Sequence, residues 1–377
     1  MKIGIQAENL TGGKNATHAG IGRYTFSIID HLLKIGDHHE WWLFVPPGFE
    51  PPDDWVNRPN FHIRTLGPKY RIWRALMRLP IALSKGIKVW FVLSGPMMNH
   101  KLIKQAATIH DLFPFDYPEF FPEQLSDLRI KFALSQVHKS DLIFAVSENT
   151  KQRIIDRFKI KPEAIVVTTN GPGNIAPLVD RGSVSTARLR ELGVPFDRYF
   201  FTLSTLEPRK NLDRLIQALA ILHKDPQFAD VGLAVGGGKG WKESSIFETV
   251  KSLGLEDRVA FLGYVPDESL PELFAGSMGT ICASIDEGFG IPVLEAMMYG
   301  SPVLSSDRGA LTEVGGDAVR YFDPMSPESI AESMAEFLSH PETHAEMIRQ
   351  GFERSKRFTW EDSARKTLEA LEELGSR

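Results

Sequence analysis

The sequence predicts an α/β protein built from two doubly wound parallel sheets, and three observations carry that expectation. Short apolar runs of strand length alternate with segments of helical periodicity along the first half of the chain. Such alternation marks a parallel sheet covered by helices on both faces. The pattern lapses over residues 172–198, "PGNIAPLVDRGSVSTARLRELGVPFDR", and then restarts. The length, 377 residues, suits two domains at about 100–200 residues each.

The elements follow in order. "KIGIQA" reads as the first strand and "GRYTFSIIDHLLKIG" as the first helix. "EWWLFVP", "FHIRTL", "VWFVLSG", "AATIHD", "DLIFAVS" and "AIVVTTNG" are further strands, with helices at "EQLSDLRIKFALSQVHKS" and "ENTKQRIIDRFK". After the lapse, "YFFTLST", "VGLAVGG", "VAFLG", "GTICAS", "PVLSSD" and "VRYFDP" read as strands. "NLDRLIQALAILHK", "DESLPELFAG", "VLEAMMYG" and "PESIAESMAEFLSH" read as their helices. The expected domains are residues 1–180 and 181–359. The last stretch, residues 360–377, holds a helix beyond the completed second unit. It either packs locally or returns to the first domain.

One segment stands apart. Residues 69–90, "KYRIWRALMRLPIALSKGIKVW", hold six Lys/Arg and no Asp or Glu. At helical spacing Arg71, Arg74, Arg78 and Lys85 share one face, and Ile72, Leu76, Leu79 and Leu83 share another. Pro80 interrupts or kinks such a helix. It reads as a surface helix with its apolar face on the first domain's core. A sharper reading adds that the basic face, with Trp73, meets anionic lipid.

Composition narrows the class. Hydrophobic residues make up 42% and charged residues 24%, as in soluble globular proteins. A net charge of −5 argues against a nucleic-acid partner, which would favour a basic chain. Cys282 is the only cysteine, which excludes a disulfide framework and a cysteine-based zinc site. "MKIGIQ" lacks the apolar core of a signal peptide, and no apolar run approaches the ~18–20 residues of a membrane span. A cytoplasmic setting is the expectation.

In doubly wound sheets ligands sit outside the carboxyl ends of the strands, so residues that follow strands are the candidates. "GTICAS" is followed by the turn "IDEGFG" and a helix with Pro292 in its first turn. Free N–H groups at a helix start bind anions, phosphate above all, and Gly288 and Gly290 permit close approach. Glu287 lies on the turn and Glu295 on the helix, where each carboxylate can accept hydrogen bonds from a vicinal diol. A helix-dipole carboxylate and a solvated one fit the same pattern. In "STLEPRKNLDRL", residues 204–215, Arg209 and Lys210 precede a helix. The helix dipole favours anions there, so the cations make sense facing a bound phosphate, or else are solvated surface charges. In "AATIHDLFP", His110 follows a strand; it handles a proton or hydroxyl, or simply bonds to nearby backbone. In "THAGIGRYT", Gly20 and Gly22 lie between the first strand and the first helix, but Thr25 stands where a dinucleotide fingerprint needs its last glycine. "GGGKG" at 236–240 lacks the spacing of a P-loop.

Together these pieces resemble the retaining glycosyltransferases of family four, over essentially the whole chain. The most specific element is the E-x7-E stretch "EGFGIPVLE". "LEPRKNLDRLIQAL" and "AVSENTKQRII" accompany it, and "TIHDLFPFDYPEFFP" resembles a subgroup with many bacterial surface-polysaccharide mannosyltransferases. The resemblance implies the GT-B architecture, two facing Rossmann-like domains with a cleft between them. It also implies roles. Glu287 would bind hydroxyls of the donor sugar and Glu295 the ribose. N–H groups near Phe289 and Gly290 would cradle the diphosphate, which Arg209 and Lys210 neutralise. Val265, after "FLGY", would lie where backbone meets the base. His110 would reach the donor sugar from the first domain, and Gly20 and Gly22 would let the first loop approach the phosphates and acceptor. The final helix would cross back to the first domain.

There are departures. Ser204-Thr205-Leu206 stand where many relatives carry a further arginine, and Gly20-Ile21-Gly22 where others have adjacent glycines. No D-x-D occurs in the chain, so neither a metal nor a cofactor is expected beyond the nucleotide-sugar substrate. The resemblance implies front-face attack, with the leaving phosphate taking the acceptor proton. The implied activity is transfer of mannose from GDP-mannose to a glycan or lipid-linked saccharide in cell-surface polysaccharide synthesis. A UDP- or dTDP-sugar donor, a GT-B epimerase and a non-catalytic sugar-nucleotide-binding subunit are the alternatives. A dehydrogenase fails on the incomplete glycine fingerprint.

Overall fold

The computed structural model describes residues 1–12, 20–65, 71–94, 97–98, 101–120, 137–173, 181–238, 240 and 244–377, with 71–77 described by backbone alone. The chain divides into two compact units, Met1–Gly171 with Thr359–Arg377, and Pro172–Phe358.

In the first unit the strands are β1 Lys2–Ala7, β2 Glu40–Val45, β3 Phe61–Thr65, β4 Val89–Ser94, β5 Lys104–Ile109, β6 Leu142–Ala145 and β7 Ile165–Val167. They form one sheet in the order β3-β2-β1-β4-β5-β6-β7. All neighbours are parallel; Ile3 of β1 lies opposite Trp41 of β2 and Val89 of β4. The second unit repeats the plan with β8 Tyr199–Leu203, β9 Gly232–Gly236, β10 Val259–Gly263, β11 Gly279–Cys282, β12 Val303–Ser306 and β13 Val319–Phe322. Its order is β10-β9-β8-β11-β12-β13, again all parallel. Strands covered on both faces need continuous apolar runs, and β9 and β11 are buried at every residue. The core of this unit joins Phe200, Leu219, Leu233, Ile281, Leu304 and Phe337. In each sheet the winding reverses beside the first strand, between β1 and β4 and between β8 and β11. Ligands bind at such switch points.

The division falls at 171/172, not at the 180/181 expected from the sequence. The reason is a close crossing within the first unit. A Cβ on Gly171 would lie 2.6 Å from the Trp360 backbone nitrogen, so the chain leaves and re-enters this unit at one place. The helix Trp360–Ser376 opens on the Thr359 side chain, which accepts from the Asp362 N–H at 3.1 Å. It buries Trp360, Ala364, Leu368, Leu371 and Leu374 and packs on the first helix, Ile21–Ile35. His38 and His39 both reach its Glu372 Oε1 at 2.8 Å.

Among the described residues, three helices of six residues or more lay outside the sequence reading. They are Thr186–Glu191 within the lapse, Ser244–Ser252 and His344–Ser355. The helix expected at "EQLSDLRIKFALSQVHKS" lies for the most part in residues 121–136, outside the described residues. The basic segment does form a helix, Arg71–Lys85, with Pro80 inside it. Over residues 78–85 its faces are not those expected. Arg78 is 2% exposed and donates to the Glu8 carboxylate at the end of β1, whereas Leu83 is 49% exposed. A carboxylate tucked behind a strand end is costly without a partner, and Arg78 supplies one by turning inward. Lys85 lies over the Trp42 ring, 5.0 Å from its centroid. Among the described residues, no helix is long and apolar enough to cross a membrane.

Candidate active site

The site grows from the carboxyl ends of β8 and β11, neighbours at the second switch point. Beyond β8 the chain makes a short 3-10 turn, Pro208–Lys210, and enters the helix Leu212–Leu222 through Asn211. Asn211 takes the left-handed conformation, φ 61°. Its buried amide donates to the Ala283 and Pro324 carbonyls at 3.0 and 2.7 Å. That ties the turn to the end of β11, where Ile285 N–H donates to the Arg209 carbonyl at 2.9 Å.

Arg209 and Lys210 are thereby aimed at Glu287. Lys210 Nζ lies 2.5 Å from Glu287 Oε1, and Arg209 Nη1 lies 3.3 Å from Oε2. The Ser284 hydroxyl donates to Oε1 at 2.8 Å, and Arg209 Nε donates to Glu207 Oε1 at 3.0 Å. Glu207 and Glu287 are both buried. Burial alone would raise the Glu287 carboxyl, but Arg209, Lys210 and the bonds from Lys210 and Ser284 hold it down at about 2. The cations ahead of the helix therefore face a carboxylate, which is how this structure resolves their position against the dipole.

The turn after Glu287 leads through Gly290, φ 106°, into the helix Ile291–Met298. A Cβ on Gly290 would meet the tip of the Leu311 side chain at 2.6 Å, and the positive φ is the conformation that favours glycine. Phe289 is buried, its ring edge-on to Phe358 at 5.6 Å. Glu295 is also buried, in the body of that helix. A second loop closes over Glu287. Ala310 N–H donates to the Glu287 carbonyl at 3.0 Å, and at Gly309, φ 60°, a Cβ would lie 2.9 Å from the Glu287 nitrogen. Val265, buried behind β10, has its Cγ2 3.0 Å from where a Gly236 Cβ would be.

In the first unit, His110 follows β5 and is half-buried. Its ring stands edge-on to Tyr24 at 4.7 Å, and Nε2 is sealed from solvent with no hydrogen-bond partner among the described residues. Burial brings its pKa down to about 4 despite the Asp111 charge and a bond to the Leu93 backbone. The imidazole is neutral at ordinary pH. Gly20 caps the first helix at φ 54°. Gly22 is not in the connecting loop as expected; it is the second residue of the helix Ile21–Ile35. Helical backbone places no demand for glycine there.

Of the predicted residues, then, the structure brings Arg209, Lys210 and Glu287 into direct contact. Phe289, Gly290 and Glu295 follow on the adjoining turn and helix. His110, Gly20 and Gly22 belong to the other unit. Sequence reasoning missed Glu207, Asn211, Ser284 and Gly309. Glu207 was marked only by standing two residues before a cation pair. A cavity of about 460 Å³ elsewhere in this unit is lined by Ser183, Arg188, Glu268 and Glu272. Its arginine is already paired with Glu272 at 2.9 Å, and it shares no lining residue with the cluster.

Two such sheets in one chain, with a cation–carboxylate cluster at the second switch point, define a glycosyltransferase of the GT-B fold. The chain belongs to the family 4 glycosyltransferases. The family model Glycosyltransferase Family 4 matches residues 18–171, and Glycosyl transferases group 1 matches residues 191–354. The O-antigen chain mannosyltransferase B of Escherichia coli is 28% identical over 384 residues, covering 94% of this chain and 96% of its own. Sucrose-phosphate synthase from Thermosynechococcus elongatus superposes with TM-score 0.76 at 19% identity, covering 100% and 99% of the two chains. Anabaena HepE, solved with UDP and glucose, superposes with TM-score 0.73 at 20% identity, covering 99% and 100%.

Proposed function

We propose that this glycosyltransferase is a retaining mannosyltransferase. It moves mannose from GDP-mannose to a glycan or lipid-linked saccharide in cell-surface polysaccharide synthesis, without a metal. The observation that carries the transfer chemistry is the Lys210–Glu287–Arg209 cluster beside a helix start. Departure of a nucleoside diphosphate builds negative charge, and preorganised donors aimed at that charge lower the barrier most. Arg209, Lys210 and the N–H groups around Phe289 and Gly290 are the donors in this reading. Glu287 binds sugar hydroxyls and Glu295 the ribose, with backbone near Val265 at the base. Gly20, at φ 54° ahead of the first helix, is the glycine that favours close approach of the acceptor; Gly22, inside that helix, has no such part. His110, neutral, is a hydrogen-bonding partner for a substrate hydroxyl rather than a cation. The leaving phosphate takes the acceptor proton on the face it departs from, which retains configuration and needs no protein nucleophile.

Mannose as the transferred sugar is supported by the similarity to the Escherichia coli O-antigen enzyme. Metal independence is supported by the absence of D-x-D from the sequence. A UDP-sugar donor is the second reading, favoured by the structural likeness to HepE, a protein solved with UDP-glucose. A cytoplasmic location, docked peripherally on the inner membrane face through Arg71, Arg74 and Lys85, completes the proposal. The test is turnover and thermal shift of the purified chain with GDP-mannose, UDP-glucose and a dTDP-sugar, since a bound ligand stabilises the fold. Stabilisation and transfer with GDP-mannose alone is the expected result. Preference for either other donor overturns the mannosyl assignment.

A further inference from the structure

Four charged side chains meet at the second switch point. Arg209 and Lys210 bring two positive charges, and Glu207 and Glu287 bring two negative ones. Side-chain exposure is 19% and 11% for the cations and 7% and 9% for the carboxylates. Water therefore screens the four groups weakly, and each depends on the others for compensation. Glu287 receives Lys210, Arg209 and Ser284 together. Glu207 engages Arg209 through Nε, on the opposite side of the guanidinium carbon from Nη1.

A diphosphate that approaches these cations meets the Glu287 carboxylate already on them. Like charges at that range disfavour each other. We infer that Glu287 is a built-in competitor for the diphosphate, displaced from Arg209 and Lys210 only when the hydroxyls of the donor's own sugar take over its oxygens. This deepens the proposed function and rests on it. Binding then becomes an exchange of partners. Before it, Glu287 holds the cations. After it, two sugar O–H groups donate to Glu287 while the cations turn to phosphate oxygens. Ser284 can stay on Oε1 throughout, and Glu207 keeps Arg209 tethered by Nε while its Nη edge changes partner.

The exchange is favourable only when both halves occur. A nucleoside diphosphate without its sugar would draw the cations away and leave Glu287 buried with Ser284 alone. Stripping a buried carboxylate of its cations is strongly unfavourable. The site therefore discriminates by more than the sugar's own contacts. It holds the intact donor and rejects the leaving group once the sugar has gone, so Glu287 drives product release as well as donor selection.

Calorimetric titration of the full chain tests this with four probes: GDP, GDP-mannose, UDP and UDP-glucose. The cognate nucleotide sugar should bind at least tenfold tighter than its own diphosphate. Glu287→Gln removes the charge and keeps the shape. In that variant the diphosphate should bind at least tenfold tighter than in the wild type, and the preference for the sugar form should collapse. Lys210→Ala reports on the site itself and should weaken every probe. Equal wild-type affinity for diphosphate and nucleotide sugar overturns the inference, and that measurement needs no variant. So does Glu287→Gln binding the diphosphate no better than wild type, while Lys210→Ala still weakens it. If Lys210→Ala leaves all four affinities unchanged, the assignment of this cluster to a diphosphate fails, and the inference falls with it.

Discussion

Replacing Lys210 by alanine removes the shortest contact to Glu287, the 2.5 Å bond from Nζ to Oε1. The wild-type carboxyl titrates at about 2 against an ordinary 4.5, although burial pushes it upward. At 1.36 kcal/mol for each tenfold change in acidity, the surroundings favour the charged form by about 3 kcal/mol. The folded value lies below the unfolded one. The contribution is thus present above pH 4.5 and lost as pH falls towards 2. In the variant Arg209 at 3.3 Å and Ser284 at 2.8 Å remain, so part of it survives. Removing one partner of a buried pair costs ~3–5 kcal/mol when nothing else compensates; with two partners left, we expect about 2 kcal/mol at pH 7. Urea unfolding of the full chain at pH 7 and at successively lower pH measures it, and the gap from wild type should narrow below pH 4.5. The double variant Lys210→Ala/Glu287→Gln should regain more than half of the lost stability, because the stranded charge is gone. It should regain no turnover, since each change alone is expected to lower turnover by ~10²–10³. A single variant as stable as wild type at pH 7, or a double variant no more stable than the single, refutes the reasoning.

Gly309→Ala forces a methyl against the Glu287 backbone at φ 60°; strain of this kind costs about 1–3 kcal/mol, so both melting temperature and turnover should fall, and an unchanged melting temperature counts against it. His110 has a folded pKa of about 4, below the ordinary 6.5. Its contribution to stability is therefore full above pH 6.5 and lost as pH falls towards 4, and His110→Asn should flatten the decline of the urea midpoint in that window. Activity is expected to survive EDTA; complete loss restored by Mg²⁺ or Mn²⁺ would place a metal at the leaving group after all. Arg71 and Arg74 changed together to Gln should weaken co-sedimentation with anionic vesicles, at about 1 kcal/mol per cation, and leave neutral vesicles unaffected. Equal binding to both vesicle types removes the membrane from the account.

The alternation of strands and helices was legible in the chain because parallel strands buried on both faces must be continuous apolar runs. Runs such as "GTICAS" and "VGLAVGG" declare themselves locally. The glutamates 287 and 295, the Arg209–Lys210 pair and the glycine turn between strand and helix were legible for the same reason, since each is a feature of a few consecutive residues. What joins them was not. Glu287 lies 77 residues from Lys210 and 78 from Arg209, and only the strand order that sets β8 beside β11 brings them into contact. Helical spacing likewise put Arg78 among the basic residues, but a periodicity gives the angle between faces and not which one turns inward. The Glu8 carboxylate, only 17% exposed at the end of β1, decided that by pairing with Arg78. Gly309 belongs to the same class. Its sequence neighbours, Arg308 and Ala310, show nothing of Glu287, and its need for glycine appears only when the chain has folded back to place its backbone against that residue.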